Sequence, residues 1–248
     1  MLLVDAKYSD NAIIKMLDEM NINFWDMNED NWEDFIGYDD FPEDIREYIR
    51  LRNGASKLVI VAPEIFPFVI KMPFRLSTAS YYDDYDYEEY DEEGCGYCQF
   101  GGAENGLNDW DYCLTETQIY EHAKKFGVEE FFAASWKLGE LKDGFPIYAQ
   151  EYVPKIGIWR HEFSELSDED FIFFKQKTAY DISSRTPGRN CDVTWREVLY
   201  WLQSKTKETV LQFIDFLQMF GVSDLHTGNG GLTAAGDLVL IDYSGFND

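Results

Sequence analysis

Two short polar segments lie close together near the end of the sequence: Asp224-Leu-His-Thr-Gly-Asn229 and Ile241-Asp242-Tyr-Ser-Gly245. The residues between them predict a short hairpin over 232–240 that turns at Ala235-Gly236. Asp242 would then directly follow an apolar strand, which holds its carboxylate rigidly. Asn and Asp side chains supply the hard oxygen atoms that Mg²⁺ prefers, and a further aspartate nearby can accept a hydroxyl proton.

These segments resemble the motifs of the protein-kinase-like superfamily. Asp224-Leu-His-Thr-Gly-Asn229 is similar to the catalytic loop, especially to the D-x-H-x-G-N form of aminoglycoside-phosphotransferase-type kinases and small phage protein kinases. Asp242-Tyr-Ser-Gly245 matches the position of the metal-binding D-F-G motif. The resemblance implies that Asp224 is the catalytic base, that Asn229 and Asp242 hold Mg²⁺, and that His226 has a structural role.

The resemblance also implies a strand lysine that holds the phosphates of ATP and a helix glutamate that pairs with it. The segment 57–72 contains two β-rich runs around a proline-containing turn, and Val69-Ile70-Lys71 at its end resembles the V-A-I-K element, so Lys71 is the expected lysine. A helix is predicted over 115–126, and it offers two acids. Glu116 shares the apolar stripe of that helix, whereas Glu121 lies roughly 140° away and should face outward, which favours Glu116.

Two more strands are predicted over 131–138 and 145–153. The second ends in Gln150-Glu151-Tyr152-Val153, which resembles the passage from strand to hinge beside an adenine ring, so Glu151 and Val153 are expected at the nucleotide. The Gly-rich phosphate loop of the superfamily would correspond to the turn-prone stretch Asn53-Gly54-Ala55-Ser56, with Gly54 and Ser56 at the phosphates.

The order of elements predicts an α+β fold rather than alternating βαβ units. By resemblance it is a two-lobed, protein-kinase-like fold with a small antiparallel sheet and one helix in the first lobe, and a mainly helical, minimal second lobe. The expected domains are an acidic helical N-terminal cap over 1–49, a first lobe over 50–153 with an acidic, tyrosine-rich insert over 77–110, and a second lobe over 154–248. One or two helices are predicted from 194 to about 220.

The charge of the chain limits its partners. The chain has 248 residues with 47 acids and 21 bases, a net of −26, which argues against direct binding to nucleic acid or anionic lipid. Residues 1–50 contribute a net of −10, and eight more acids lie in 83–93, so the extreme charge belongs to two segments. These acidic segments could bind a basic protein partner.

The sequence has no stretch typical of a signal peptide and no apolar run long enough to span a membrane. Its four cysteines, Cys95, Cys98, Cys113 and Cys191, are too few for a disulfide scaffold, and a cytoplasmic location is expected. The spacing Cys95-x-x-Cys98 suits a zinc site that Cys113 and Cys191 could complete.

Three functions fit the sequence. The favoured one is an ATP- and Mg²⁺-dependent phosphotransferase, a minimal protein kinase of the phage or mobile-element type that transfers the γ-phosphate to a hydroxyl group. The second is a pseudokinase that acts as an acidic protein-binding module, in keeping with the single glycine of the phosphate loop and the short C-terminal lobe. The third, an acidic mimic of nucleic acid, would make Lys71 and Asp224 dispensable.

Overall fold

The computed structural model describes residues 9–54, 56–74, 111–154, 167–177, 195–220, 222 and 227–243. Asp224, His226, the whole acidic insert over 77–110, and three of the four cysteines lie outside these ranges. The described chain is a mixed α+β protein that divides into two units. The first unit comprises residues 1–96, 108–117 and 134–152, and the second comprises 97–107, 118–133 and 153–248.

The first unit contains a five-stranded antiparallel sheet in the order β1-β2-β3-β5-β4, preceded by three helices. The elements are α1 (Asp10–Glu19), α2 (Trp32–Phe35), α3 (Glu43–Arg46), β1 (Arg50–Gly54), β2 (Lys57–Val61), β3 (Phe68–Pro73), β4 (Ser135–Glu140) and β5 (Pro146–Glu151). Helix α4 (Tyr112–Phe126) connects β3 to β4 in sequence and contributes its first turns to this unit. The antiparallel sheet confirms the predicted α+β class.

One face of the sheet is apolar and buried against the N-terminal segment. Strand side chains alternate between faces, and the even-numbered residues of β2, β3 and β4 with the odd-numbered residues of β5 form one hydrophobic core with α1 and the loops that follow it. Ser9 caps α1 by accepting a hydrogen bond from the Ala12 N–H. Core residues from the N-terminal segment include Ile13, Leu17, Phe24, Met27, Ile36, Phe41 and Ile45.

The opposite face of the same sheet is unusually polar for a buried surface. It carries Lys57, Lys71, Ser135, Tyr148 and Gln150, all of which are buried. Buried polar groups are costly unless they find partners. Within the first unit, this polar face is therefore the expected location of a functional site.

The edge strand β1 extends into the stretch 53–56 that was predicted as turn-prone. Asn53 and Gly54 pair with Leu58 and Lys57 of β2. Asn and Gly have low β-propensity, but antiparallel pairing with the strongly β-forming run of β2 outweighs that local preference. Strands β4 and β5 begin and end within a few residues of their predicted limits.

The second unit is helical with one hairpin. It contains α5 (Asp168–Lys177), α6 (Trp195–Trp201), α7 (Lys207–Phe220), β6 (Gly230–Leu232) and β7 (Leu238–Leu240). The predicted helical stretch from 194 is thus two helices, and the hairpin lies where it was expected, with Gly236 in the left-handed conformation of its turn (φ 88°). An aromatic core holds the unit together, in which the rings of Phe131 and Phe213 stack at 4.1 Å.

Helix α4 begins earlier than predicted, at Tyr112, and ends at Phe126 before Gly127. Gly127 has a φ of 71°, the left-handed conformation with which helices commonly end. Ile119 and Ala123 of the predicted apolar stripe are fully buried, but Phe126 is 39% exposed. Nowhere in the described part of the chain is a helix both long and apolar enough to cross a membrane.

Candidate functional site

Lys71 and Glu116 form a buried ion pair in the first unit. Lys71 lies on β3, the central strand of the sheet, and its Nζ is 2.6 Å from Glu116 Oε2. Glu116 lies in the second turn of α4 and is fully buried, whereas Glu121 is exposed and pairs with Lys124 on the helix surface. The structure therefore brings together the two residues that the sequence proposed as a pair.

A second lysine, Lys57, contacts the same carboxylate. Its Nζ is 2.6 Å from Glu116 Oε1, so each oxygen of Glu116 accepts a hydrogen bond from a different ammonium group. Lys57 was not among the site residues predicted from the sequence. A signal was present in the period of the strand. Successive side chains of a strand point to opposite faces, so Lys57 lies on the face opposite to that of Leu58 and Ile60.

The N-terminus of α4 holds Glu116 in position. Asp111 caps the helix by accepting the Leu114 N–H at 3.0 Å, and its other oxygen accepts the Tyr148 hydroxyl at 2.7 Å. One residue beyond Glu116, the hydroxyls of Thr117 and Ser135 are 3.2 Å apart. These contacts connect the helix to β5 and β4, and they fix the direction in which the Glu116 carboxylate points.

Burial dominates the electrostatics around this helix start. Desolvation raises the pKa of the Asp111 carboxyl, although the hydrogen bond from Tyr148 opposes that effect. It also raises the pKa of the Tyr148 hydroxyl, with the Asp111 charge as the next cause. The pKa of the Cys113 thiol is raised by burial as well, and the positive charge of Lys57 partly offsets this.

The polar face also has apolar positions beside Lys71. Val59 is paired with Lys71 across β2 and β3, and Val69 lies two residues before Lys71. Val69 is buried but belongs to none of the hydrophobic clusters. Opposite Val69 lies Gln150, whose buried side-chain Nε2 has no hydrogen-bond partner among the described residues. Apolar side chains beside a buried amide suit a flat aromatic ring whose edge carries hydrogen-bonding groups, such as adenine.

The predicted hinge lies where the chain passes from one unit to the other. Glu151 ends β5, its side chain is exposed, and its N–H donates to Ala134 O. Val153 belongs to the second unit, where it packs with Ala133 and Val239. The two predicted nucleotide contacts thus belong to different units.

Of the predicted phosphate loop, residues 53, 54 and 56 are described, and they lie in the first unit at the end of β1 and just before β2. Gly54 is the last residue of β1, its backbone is not in the left-handed region, and a Cβ there would meet nothing within 4 Å. Ser56 is buried, and its carbonyl accepts the Phe74 N–H at 2.9 Å. The structure shows no conformational need for glycine at position 54.

Asn229 and Asp242 are brought together in the second unit by the hairpin between them. Asn229 ends a 3₁₀ turn, Thr227–Asn229, and is buried, while Asp242 follows β7. The main-chain carbonyl of Asn229 accepts hydrogen bonds from the N–H groups of Ile241 and Asp242, at 2.7 and 3.4 Å. The backbone segments that carry Asn229 and Asp242 therefore adjoin. The two side chains are an amide and a carboxylate, whose oxygen atoms are the ligand type that Mg²⁺ prefers.

Next to this pair, Tyr243 anchors the strand end. Its side chain is fully buried, and its hydroxyl donates to Ala133 O at 2.8 Å. The Ala133 N–H in turn donates to Leu240 O. The backbone that carries Asp242 is therefore held on both sides.

The zinc prediction falls mainly outside the described residues, since Cys95, Cys98 and Cys191 all do. Cys113 is described and lies buried in α4. Across the ranges that the structure describes, no three His, Cys, Asp or Glu residues are grouped closely enough to hold a metal ion. The expected catalytic base, Asp224, also lies outside the described ranges.

Comparison with known proteins adds no family assignment. The chain matches no protein-family model, and no curated protein is significantly similar to it.

Proposed function

We propose that this protein is an ATP- and Mg²⁺-dependent phosphotransferase with a protein-kinase-like fold, a minimal kinase of the phage or mobile-element type. The observation that carries the proposal is the buried Lys71–Glu116 ion pair between the central strand and the helix. Desolvation makes a buried ion pair a poor source of stability, and apolar residues often serve as well or better. A pair placed on the polar face of a sheet is better explained by a ligand that needs the ammonium group.

The expected ligand is the polyphosphate of ATP. In this proposal Lys71 binds phosphate oxygens, Glu116 fixes the position of Lys71, and Asn229 and Asp242 would hold Mg²⁺. The metal would neutralise charge on the phosphates, while Asp224 orients the acceptor hydroxyl and takes its proton. Positioning and charge neutralisation provide most of the rate acceleration in this chemistry.

The direct test is transfer of label from [γ-³²P]ATP with Mg²⁺ to a protein mixture or to the protein itself. We expect labelling by the wild-type chain and a loss of about 100-fold or more in Asp224→Ala, since a positioned base contributes about that much. Asp237→Asn, which changes an exposed acid in the hairpin turn, is the matched control and should label normally. Equal labelling by Asp224→Ala would refute the catalytic role of Asp224.

A pseudokinase that binds a basic protein is the second candidate. It is favoured by the N-terminal segment, whose apolar residues are buried while many of its acids, among them Asp10, Glu33, Asp34, Asp39 and Asp40, are exposed. A thermal shift with ATP, measured with and without Mg²⁺, separates the candidates in part. Mg²⁺-dependent stabilisation that Asp242→Asn removes supports a competent site, whereas salt-sensitive capture of basic proteins without any label transfer supports the binding module.

A further inference from the structure

We propose that Lys57 is a second phosphate-binding residue, so that the polyphosphate lies against two lysines that share Glu116. The inference rests on the proposed function, because it assigns a further contact to the same nucleotide. Neither the motifs of the sequence nor the resemblance to kinases pointed to Lys57. The assignment comes from its contact with Glu116 and from its position in the sheet.

The two ammonium groups are close to each other. Lys57 Nζ and Lys71 Nζ are each 2.6 Å from a different oxygen of the Glu116 carboxylate. They are therefore at most about 7.5 Å apart, since the two oxygens of one carboxylate are only about 2.2 Å from each other. Two cations at this separation can contact neighbouring phosphate groups of one nucleotide.

The sheet register explains this closeness. Lys71 pairs with Val59, and Lys57 lies two residues before Val59 on the same strand, so both lysines are on the same face as diagonal neighbours. Both side chains are buried, at 4% and 5% exposure. Because they extend from paired strands to one carboxylate, their positions are fixed before any ligand binds.

The chemistry of the three groups suits an anion. An ammonium group has three N–H donors, so a lysine can hold a carboxylate and a phosphate oxygen at the same time. The formal charges of Lys57, Lys71 and Glu116 add to +1, and a polyphosphate supplies several negative charges. Glu116 then serves as a positioning residue for both lysines rather than for Lys71 alone.

The alternative is that Lys57 only supports Glu116 and touches no ligand. A supporting role acts through Glu116 and Lys71, so it requires the Glu116 carboxylate, whereas a direct phosphate contact does not. Either role weakens ATP binding and leaves adenosine unaffected, so a double variant that lacks the Glu116 carboxylate separates them.

The experiment is isothermal titration of the full chain with Mg·ATP and with adenosine. We expect Lys57→Met to bind ATP at least tenfold more weakly than the wild type, with adenosine affinity unchanged within twofold, as for a lost charge-assisted hydrogen bond. Lys71→Met should show the same pattern. Lys137→Met is the matched control, because Lys137 lies on the same sheet but is exposed and paired with Glu140, and it should bind both ligands normally.

Three outcomes contradict the inference. Unchanged ATP affinity in Lys57→Met, or equal losses for ATP and adenosine, would refute the phosphate contact and leave the proposed function standing. A wild-type chain that binds neither ligand would refute the proposed function and this inference together.

A second comparison separates a direct phosphate contact from support of Glu116, and it also covers the case in which Lys57→Met does not fold. Glu116→Gln removes the buried carboxylate, and Lys57→Met/Glu116→Gln removes the Lys57 ammonium group as well. The double variant therefore does not leave a buried carboxylate without Lys57. The double variant should bind ATP at least tenfold more weakly than Glu116→Gln. Equal ATP affinities of these two variants would overturn the assignment.

Discussion

Glu116 links the two lysines on the polar face of the sheet, because each of its carboxylate oxygens accepts a hydrogen bond from one of them. Glu116→Ala would leave two buried ammonium groups without this partner, and removal of one member of a buried pair costs about 3–5 kcal/mol. We expect a loss of that size in the free energy of unfolding, measured by urea denaturation. Glu121→Ala changes an exposed acid of the same helix and should cost less than about 0.5 kcal/mol. Similar losses in the two variants would mean that the buried pairing contributes little.

Asp111 gives the stability of the protein a defined pH dependence. Burial raises the pKa of its carboxyl in the folded protein, so the folded state holds the proton more tightly than the unfolded state. The stabilisation from protonated Asp111 is complete below the unfolded pKa of about 3.9 and is lost as the pH rises through the higher folded pKa.

The measurement for Asp111 is urea denaturation of the wild type and Asp111→Asn from pH 4 to pH 7. The asparagine cannot titrate and can still accept the Leu114 N–H. The stability of the wild type relative to the variant should fall as the pH rises over this range. A constant difference would show that the carboxyl has the same pKa in both states.

At the scale of single elements, the β6–β7 hairpin depends on a glycine that has no space for a side chain. A Cβ at Gly231 would lie 2.7 Å from Val153 Cγ1 and 2.8 Å from the Pro154 carbonyl oxygen. The second contact is with backbone, which cannot rotate away. Since this hairpin brings Asn229 and Asp242 together, the expected metal-binding residues depend on that close approach.

Gly231→Ala should therefore destabilise the protein by about 1–3 kcal/mol, as for overpacking of a core. It should also weaken any Mg²⁺-dependent thermal stabilisation by ATP. Gly54→Ala is the matched control, because it is also a strand glycine but a Cβ there meets nothing within 4 Å. Equal melting temperatures for the two variants would contradict the close approach at Gly231.

How far the sequence predicted each element depended on whether the signal was local. The helical period placed Glu116 inside and Glu121 outside, and the Ala235-Gly236 turn placed the hairpin, since both signals come from neighbouring residues. Lys57 was missed because its role follows from the register between β2 and β3 and from a helix 59 residues away. Strand β1 was missed because pairing, rather than the propensity of Asn53 and Gly54, makes it a strand.

At the scale of the first unit, the N-terminal segment is part of the fold rather than an appendage. Phe24 and Leu17 are fully buried in the same core as the strands, and the Phe24 and Phe145 rings lie 5.6 Å apart. The sequence placed an acidic cap here and did not predict that it would share a core with the sheet, because some of its apolar partners, such as Phe145, lie more than a hundred residues later. The apolar side chains of the segment pack into this core, and many of its acidic side chains are exposed.

Phe24→Ala tests this integration. It should cost about 3–5 kcal/mol and lower the hydrogen-exchange protection of amides in β3 and β5 as well as in the N-terminal segment. Tyr38→Ala removes an aromatic ring of the same segment that is 51% exposed, and it should leave protection in the sheet unchanged. Loss of protection confined to residues 10–49 in Phe24→Ala would show that the segment unfolds independently.

The contact between α1 and β4 has a consequence for folding during synthesis. Asp18 accepts a hydrogen bond from the N–H of Lys142, and Ile14 lies against Gly139, so the first helix packs on a strand made more than a hundred residues later. During synthesis on the ribosome, the apolar side of α1 therefore stays without this packing partner until that strand has been made. Contacts this far apart in sequence slow folding. We expect the abundant acids of the N-terminal segment to keep incompletely folded chains from associating with one another.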